Sequence, residues 1–110
     1  MRLHDPVHAP ELARSQEGSR PAVSIAEDSA DARLVFFRIA PGQRVATHTS
    51  ASSVLLIVMA GSGFVSGAEG EREVSAGMIA ALDPREPHGM RAGAEELVLA
   101  AVIAPRPGSA

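Results

Sequence analysis

The 110-residue chain lacks cysteine, lysine, tryptophan and tyrosine, and its only aromatic residues besides histidine are three phenylalanines. Without cysteine, the chain forms no disulfides and offers no thiolate metal ligand or thiol nucleophile. With no tryptophan or tyrosine, scattered arginines and a net charge of -3, it offers neither a base-stacking platform nor a phosphate-binding surface. We therefore predict that it has no nucleic-acid partner.

Long hydrophobic runs are also missing. No apolar stretch approaches the roughly 20 residues that a membrane-spanning helix needs. The N-terminal segment MRLHDPVHAPELARSQEG has charges throughout and no signal-peptide core. We predict a cytoplasmic protein with no membrane partner. All ten basic residues are arginine, which together with the abundant alanine, glycine and proline is typical of a GC-rich bacterial genome.

The apolar runs that are present predict one all-β domain, because 110 residues are too few for two independent cores. From residue 21 onward, short apolar runs recur about every ten residues, each bounded by Gly, Pro, Asp or Ser. No separator is long enough for a crossover helix, so the sheet should be antiparallel. The predicted strands are residues 22–26, 34–40, 44–47, 54–60, 64–66, 72–75, 78–82, 89–91 and 97–104.

The chain divides into an N-terminal arm at 1–20, a barrel at 21–105 and a C-terminal tail at 106–110. The arm is polar, contains Pro6 and Pro10, and shows no sustained period. We predict that it is extended or loosely attached, with one helical turn near residues 11–14.

Two runs, VLLIVMA at 54–60 and LVLAAVIA at 97–104, are apolar on both faces. A strand with one wet face alternates between apolar and polar residues, so the outer face of each run should be covered. The cover is either a second subunit, with the arm across the neighbour's edge strand, or the chain's own arm; we expect the homodimer. Met59, Met78 and Met90 are predicted to fill the core.

The spacing of glycines and histidines in two blocks, residues 41–61 and 77–88, resembles the paired motifs of the cupin superfamily. The resemblance covers about residues 34–102 and implies an antiparallel double-stranded β-helix, or jelly-roll barrel. The matching positions are Gly42, His48, Gly61, Gly77 and His88.

The metal-binding residues of the superfamily are incompletely represented. Cupins use three histidines and one glutamate, and of these only His48 and His88 remain. Ser50 stands at the second histidine position, and Val54, or Leu55 with the longer spacing, at the glutamate position. The remaining substitutions in the second block are Asp83 for Pro, Arg85 for Gly and Ala92 for Asn.

Residues 48, 50, 52 and 54 would share one side of an extended strand, because side chains alternate with period two. With a histidine from the second block, they form the predicted ligand pocket, which consists of His48, Ser50, Ser52, Val54 and His88.

Three alternatives remain open for this pocket. His48 and His88 bind a divalent metal, such as Zn, Ni, Cu, Fe or Mn, with a further donor recruited from Glu86, His4 or His8. Otherwise the pocket is free of metal and the imidazoles are hydrogen-bond partners, or an acid and a base, for a small organic ligand. In the third alternative they are core histidines with no ligand.

We predict a small single-domain cupin that binds a small molecule in its barrel pocket, with or without a weakly held divalent metal. The residues do not specify a reaction. Resemblance to the cupins implies one rival, a metal-dependent oxygenase, isomerase or decarboxylase. The two-faced apolar strands allow another, a structural module that only binds other proteins.

Overall fold

The computed structural model describes residues 1–8 and 19–107, which contain seven β-strands and no helix. All strand pairs are antiparallel, which confirms the predicted all-β class. Residues 1–8 and 19–107 contain no helix that is long and apolar enough to cross a membrane. The helical turn predicted near residues 11–14 lies outside the described residues. The strands are β1 (Ala22–Asp28), β2 (Arg33–Ile39), β3 (Arg44–His48), β4 (Ser53–Gly67), β5 (Gly70–Ser75), β6 (Ile79–Leu82) and β7 (His88–Ala104).

Strands β4 and β7 are longer than predicted. Each was expected to be two strands separated by a turn, at 61–63 in β4 and at 93–94 in β7, and that prediction is wrong. The two strands stay paired across these positions, with register shifts between Val58 and Ala60 and between Gly61 and Gly63. Such bulges bend a strand without ending it.

The bend divides the sheet into two halves that pack face to face. In one half, the start of β4 lies between β6 and the end of β7, which continues to β2 and β1. In the other half, the end of β4 lies between β5 and the start of β7, which pairs with β3. The inner faces form one hydrophobic cluster. Its members include Val35, Ile39, Leu56 and Leu99 from the first half and Val65, Val74, Met90 and Ala92 from the second.

Part of the outer face of the first half is covered by residues 1–8 of the same chain. A second cluster forms there around Phe36, which is 3% exposed. The ring of His4 packs edge-on against Phe36 with 5.7 Å between centroids, and Arg38 donates a hydrogen bond to the Val7 carbonyl. Residues 1–8 of the arm therefore lie on the sheet of their own chain.

Glu27 holds the start of the chain through contacts with two side chains. Its carboxylate is 2.6 Å from Arg2 Nε and 2.6 Å from His4 Nε2. The hydrogen bonds from Arg2 and His4 lower the pKa of Glu27 to about 2. The carboxylate is therefore ionised at neutral pH while it holds these two side chains.

The flank of the outer face formed by β4 and β6 is left uncovered by residues 1–8 and 19–107. The exposed fraction is 42% for Leu55, 40% for Met59 and 63% for Ile79. Met90 is buried as predicted, but Met59 and Met78 are exposed, so the predicted core position of these two is wrong. Both lie at the edge of this flank, where the described strands form no second layer.

Candidate functional site

Two histidines form a cross-strand pair at one end of the barrel. His48 ends β3, His88 begins β7, and their Cα atoms are paired directly. The ring centroids are 4.4 Å apart, and the ring planes are inclined at 58°. His88, Met90 and Ala92 alternate along β7 with 3%, 4% and 5% exposure, which defines the inner face. Because directly opposed residues lie on the same face of a sheet, His48 is also on that face.

A β-bulge in β3 places His48 opposite His88. Val45 pairs with Met90, so an unbroken register would set Thr47 opposite His88. The register shift between Val45 and His48 adds one residue to β3 and turns His48 to the inner face instead. A one-residue slip moves a side chain to the opposite face, and bulges next to functional sites re-aim side chains in this way.

Backbone carbonyls fix the tautomer of both rings. The Nδ1 atom of His48 is 2.9 Å from the Ala46 carbonyl, and that of His88 is 2.8 Å from the Glu86 carbonyl. A carbonyl oxygen only accepts, so each Nδ1 carries a proton; in the neutral tautomer that this selects, Nε2 has the lone pair. Neither Nε2 has a hydrogen-bond partner within the described ranges. Histidines that bind metals commonly have this arrangement.

The loop at 83–87 positions the Glu86 carbonyl for His88. The Glu86 carboxylate accepts hydrogen bonds from the backbone N–H groups of Ala68, at 2.9 Å, and Asp83, at 3.0 Å. These two hydrogen bonds lower the pKa of Glu86, and the bond from Ala68 has the larger effect. The Arg85 N–H donates to the Ser50 carbonyl at 2.6 Å, which joins this loop to the turn at 49–52.

The other predicted pocket residues are placed differently. β3 ends at His48 and β4 begins at Ser53, so the extended strand expected through residues 48–54 does not form. The Ser50 hydroxyl accepts from the Ser52 N–H at 3.1 Å, in the turn near the histidines. The buried Ser52 hydroxyl donates to the Pro105 carbonyl at 2.6 Å, and Val54 belongs to the core. Of the five predicted pocket residues, the structure therefore pairs His48 with His88.

The pair lies at an open end of the barrel, since His88 is 3% exposed but His48 is exposed to solvent. The predicted barrel pocket would enclose both rings, but His48 is exposed to solvent, because β3 ends at this residue.

The further donors considered for a metal are engaged elsewhere. Glu86 binds backbone N–H groups, His4 binds Glu27, and His8 binds Asp5. No cluster of three or more His, Cys, Asp or Glu side chains occurs in the part of the chain that the structure describes. The residues present fit a divalent metal held by two neutral imidazoles and no carboxylate.

Sequence reasoning missed a groove of about 840 Å³ between the edge strands β5 and β6. Val65, Val74 and Leu82, each 6% exposed, form part of its lining, and Arg72 and Arg85 also line it. The histidine pair is not among its lining residues. The feature of the sequence that could have indicated this groove is Arg85, which stands where the cupin motif has glycine.

This two-halved antiparallel barrel is the double-stranded β-helix of the cupins. An RmlC-like cupin from Desulfovibrio desulfuricans matches 96% of this chain and 97% of its own with a TM-score of 0.81 and 22% identity. Salicylate 1,2-dioxygenase from Pseudoaminobacter salicylatoxidans matches 76% of this chain but only 25% of its own, with a TM-score of 0.71 and 19% identity. At these identities the likeness shows the fold.

The family of AraC-like ligand binding domains matches residues 33–109, and the chain belongs to that family. The protein TT1209 from Thermus thermophilus is similar over nearly the whole length, with 28% identity, a TM-score of 0.85, and coverage of 97% of this chain and 100% of its own. No curated protein matches the chain.

Proposed function

We propose that this cupin is a small-molecule-binding domain whose ligand contacts the imidazoles of His48 and His88 at the open end of the barrel. One observation carries the proposal: both Nδ1 atoms bond to backbone carbonyls and the ring centroids are 4.4 Å apart, so the Nε2 atoms of two neighbouring rings are left to contact a ligand. Solvent reaches His48, which gives a ligand access, while the buried His88 provides a fixed partner. Membership of a ligand-binding family supports this assignment.

We further propose that the same two atoms hold a divalent metal weakly. Neutral imidazoles suit Zn, Ni, Cu, Fe and Mn. Val54 occupies the position of the usual glutamate, so that position supplies no anionic ligand. A bound metal would act as a Lewis acid that polarises a ligand oxygen. The chain itself would orient the ligand and keep each Nδ1 protonated.

Metal titration of metal-free protein tests this site. We expect the melting temperature to rise with at least one of Zn, Ni, Cu, Fe and Mn, because a ligand that binds only the folded state stabilises it. The rise should disappear in His48→Ala, a change at an exposed position that should leave the fold intact. His88→Gln tests the second ligand.

His8→Ala is the matched control, because His8 is an exposed histidine that pairs with Asp5 in the arm. An equal rise in His48→Ala and wild type would refute the imidazole site. A full equivalent of metal that survives dialysis would refute weak binding and favour the metal-dependent enzyme.

We also propose a homodimer through the uncovered flank of β4 and β6. Leu55, Met59 and Ile79 are exposed there on neighbouring strands, and residues 1–8 lie over a different part of the outer face. Sedimentation of the wild type at micromolar concentration should give the dimer mass. Ile79→Lys should weaken association about tenfold or more, because it places an unpaired charge in an apolar interface.

Val23→Lys is the control for the dimer, since Val23 is 56% exposed but lies on β1. A monomer at every concentration, or equal loss with Val23→Lys, would contradict the proposed interface.

A further inference from the structure

Arg85 adopts a backbone conformation that favours glycine. Its φ is 66°, and it is the only non-glycine residue with a positive φ in the described ranges. The bond from its N–H to the Ser50 carbonyl holds the turn in this form. A side chain in the left-handed region costs free energy that glycine does not. The turn itself therefore gains nothing from an arginine side chain.

The guanidinium of Arg85 has no acceptor among residues 1–8 and 19–107. It forms no ion pair or side-chain hydrogen bond among the described residues, and Arg72, which lines the same groove, forms none either. Arg33, Arg91 and Arg106, in contrast, pair with carboxylates of their own chain. Two unpaired cations at one groove are suited to an anion from outside.

The groove also has an apolar lining. Val74 alternates with Arg72 on β5, so both side chains are on the face of β5 that lines the groove, and Leu82 lies on β6. Four carboxylates line the groove as well. Glu86 is engaged by backbone N–H groups, and Glu73 lies on β5 between Arg72 and Val74, at the margin of the groove. Glu69 and Asp83 lie in the turns on either side.

From these features we propose that the groove between β5 and β6 binds a small carboxylate with an apolar body, and that Arg85 and Arg72 recognise its carboxylate. The apolar part would pack on Val74 and Leu82, and the strain at Arg85 is retained because its side chain contacts the ligand. The histidine pair does not line this groove, so the site is separate from the one proposed above.

Benzoate is a suitable probe, and benzamide, its neutral isostere, is the matched control. We expect benzoate to shift amide resonances of groove residues in NMR spectra at millimolar concentration, with benzamide much weaker. Arg85→Gly and Arg72→Gln should each weaken benzoate binding about tenfold, as expected for loss of one charged hydrogen bond. Arg85→Lys keeps the charge but loses the planar fork of the guanidinium, so it should weaken binding less than Arg85→Gly does.

Stability separates a ligand-binding role from a structural one. Arg85→Gly should melt at the wild-type temperature or above it, because glycine relieves the strain while binding is lost. Arg44→Gln, at an exposed arginine outside the groove, should leave benzoate binding unchanged. His48→Ala should also bind benzoate normally, which distinguishes failure at this groove from failure at the histidines.

Three outcomes would overturn the proposal. The first is that benzoate causes no shifts in the wild type, or that benzamide binds equally well. The second is that Arg44→Gln weakens binding as much as Arg85→Gly does. The third is a lower melting temperature for Arg85→Gly that salt restores, which would mean that Arg85 only balances the carboxylates of the groove.

Discussion

Replacing Gly61 by alanine is expected to destabilise the fold by about 3–5 kcal/mol, the sum of backbone strain and overpacking. Gly61 has a φ of 76°, and a Cβ atom there would lie 1.7 Å from the backbone oxygen of Glu96. The clash is with backbone, so no side-chain rotation relieves it. Because whole domains are stable by only about 5–15 kcal/mol, the variant should be largely unfolded or melt far below the wild type.

Gly42→Ala separates the two contributions. Gly42 has a similar φ of 87°, but a Cβ atom there would meet nothing within 4 Å. We expect a loss of about 1–2 kcal/mol from strain alone. Urea unfolding followed by circular dichroism measures both variants. Equal losses for Gly42→Ala and Gly61→Ala would mean that β4 and β7 do not approach closely at the bend.

The fold could be predicted because its signals are local. Turn residues at regular spacing and two glycine-histidine blocks indicated an antiparallel cupin barrel, and the family match and strand pairing agree. The same glycines misled on strand boundaries. Gly61 and Gly63 occur in a segment that resembles a turn, yet there they let two backbones approach within a continuous pair of strands. Sequence composition does not distinguish a bend from a reversal.

The candidate site could be predicted only in part, for a related reason. The motif spacing picked out His48 and His88, but it did not show the bulge in β3 that turns His48 toward His88. Alternation places Ser52 and Val54 on the same side as His48 only if one unbroken strand runs through them, and the break between β3 and β4 removes that condition. The exposure of His48 and the groove beside Arg85 depend on where edge strands end, and this is a tertiary property.

Leu99→Ala is the substitution in the core from which we expect the next largest effect, a loss of about 2–5 kcal/mol. Leu99 is 0% exposed and lies on β7 between Phe37 of β2 and Val58 of β4. Truncation removes buried apolar surface and leaves a cavity, because neighbours in a sheet held by hydrogen bonds on both sides cannot move in to fill it. Equilibrium unfolding in urea, with the slope compared to the wild type, measures the loss.

Leu55→Ala tests whether the two faces of the apolar strands differ as the structure shows. Leu55 is 42% exposed on the outer face of β4. In dilute protein we expect a change within about 0.5 kcal/mol, as for most surface positions. At concentrations where the proposed dimer forms, the same change should become destabilising, because dimer stability depends on protein concentration. If Leu55→Ala and Leu99→Ala cost the same in dilute protein, the outer face of β4 must be covered within one chain, and no second subunit would be needed to shield it.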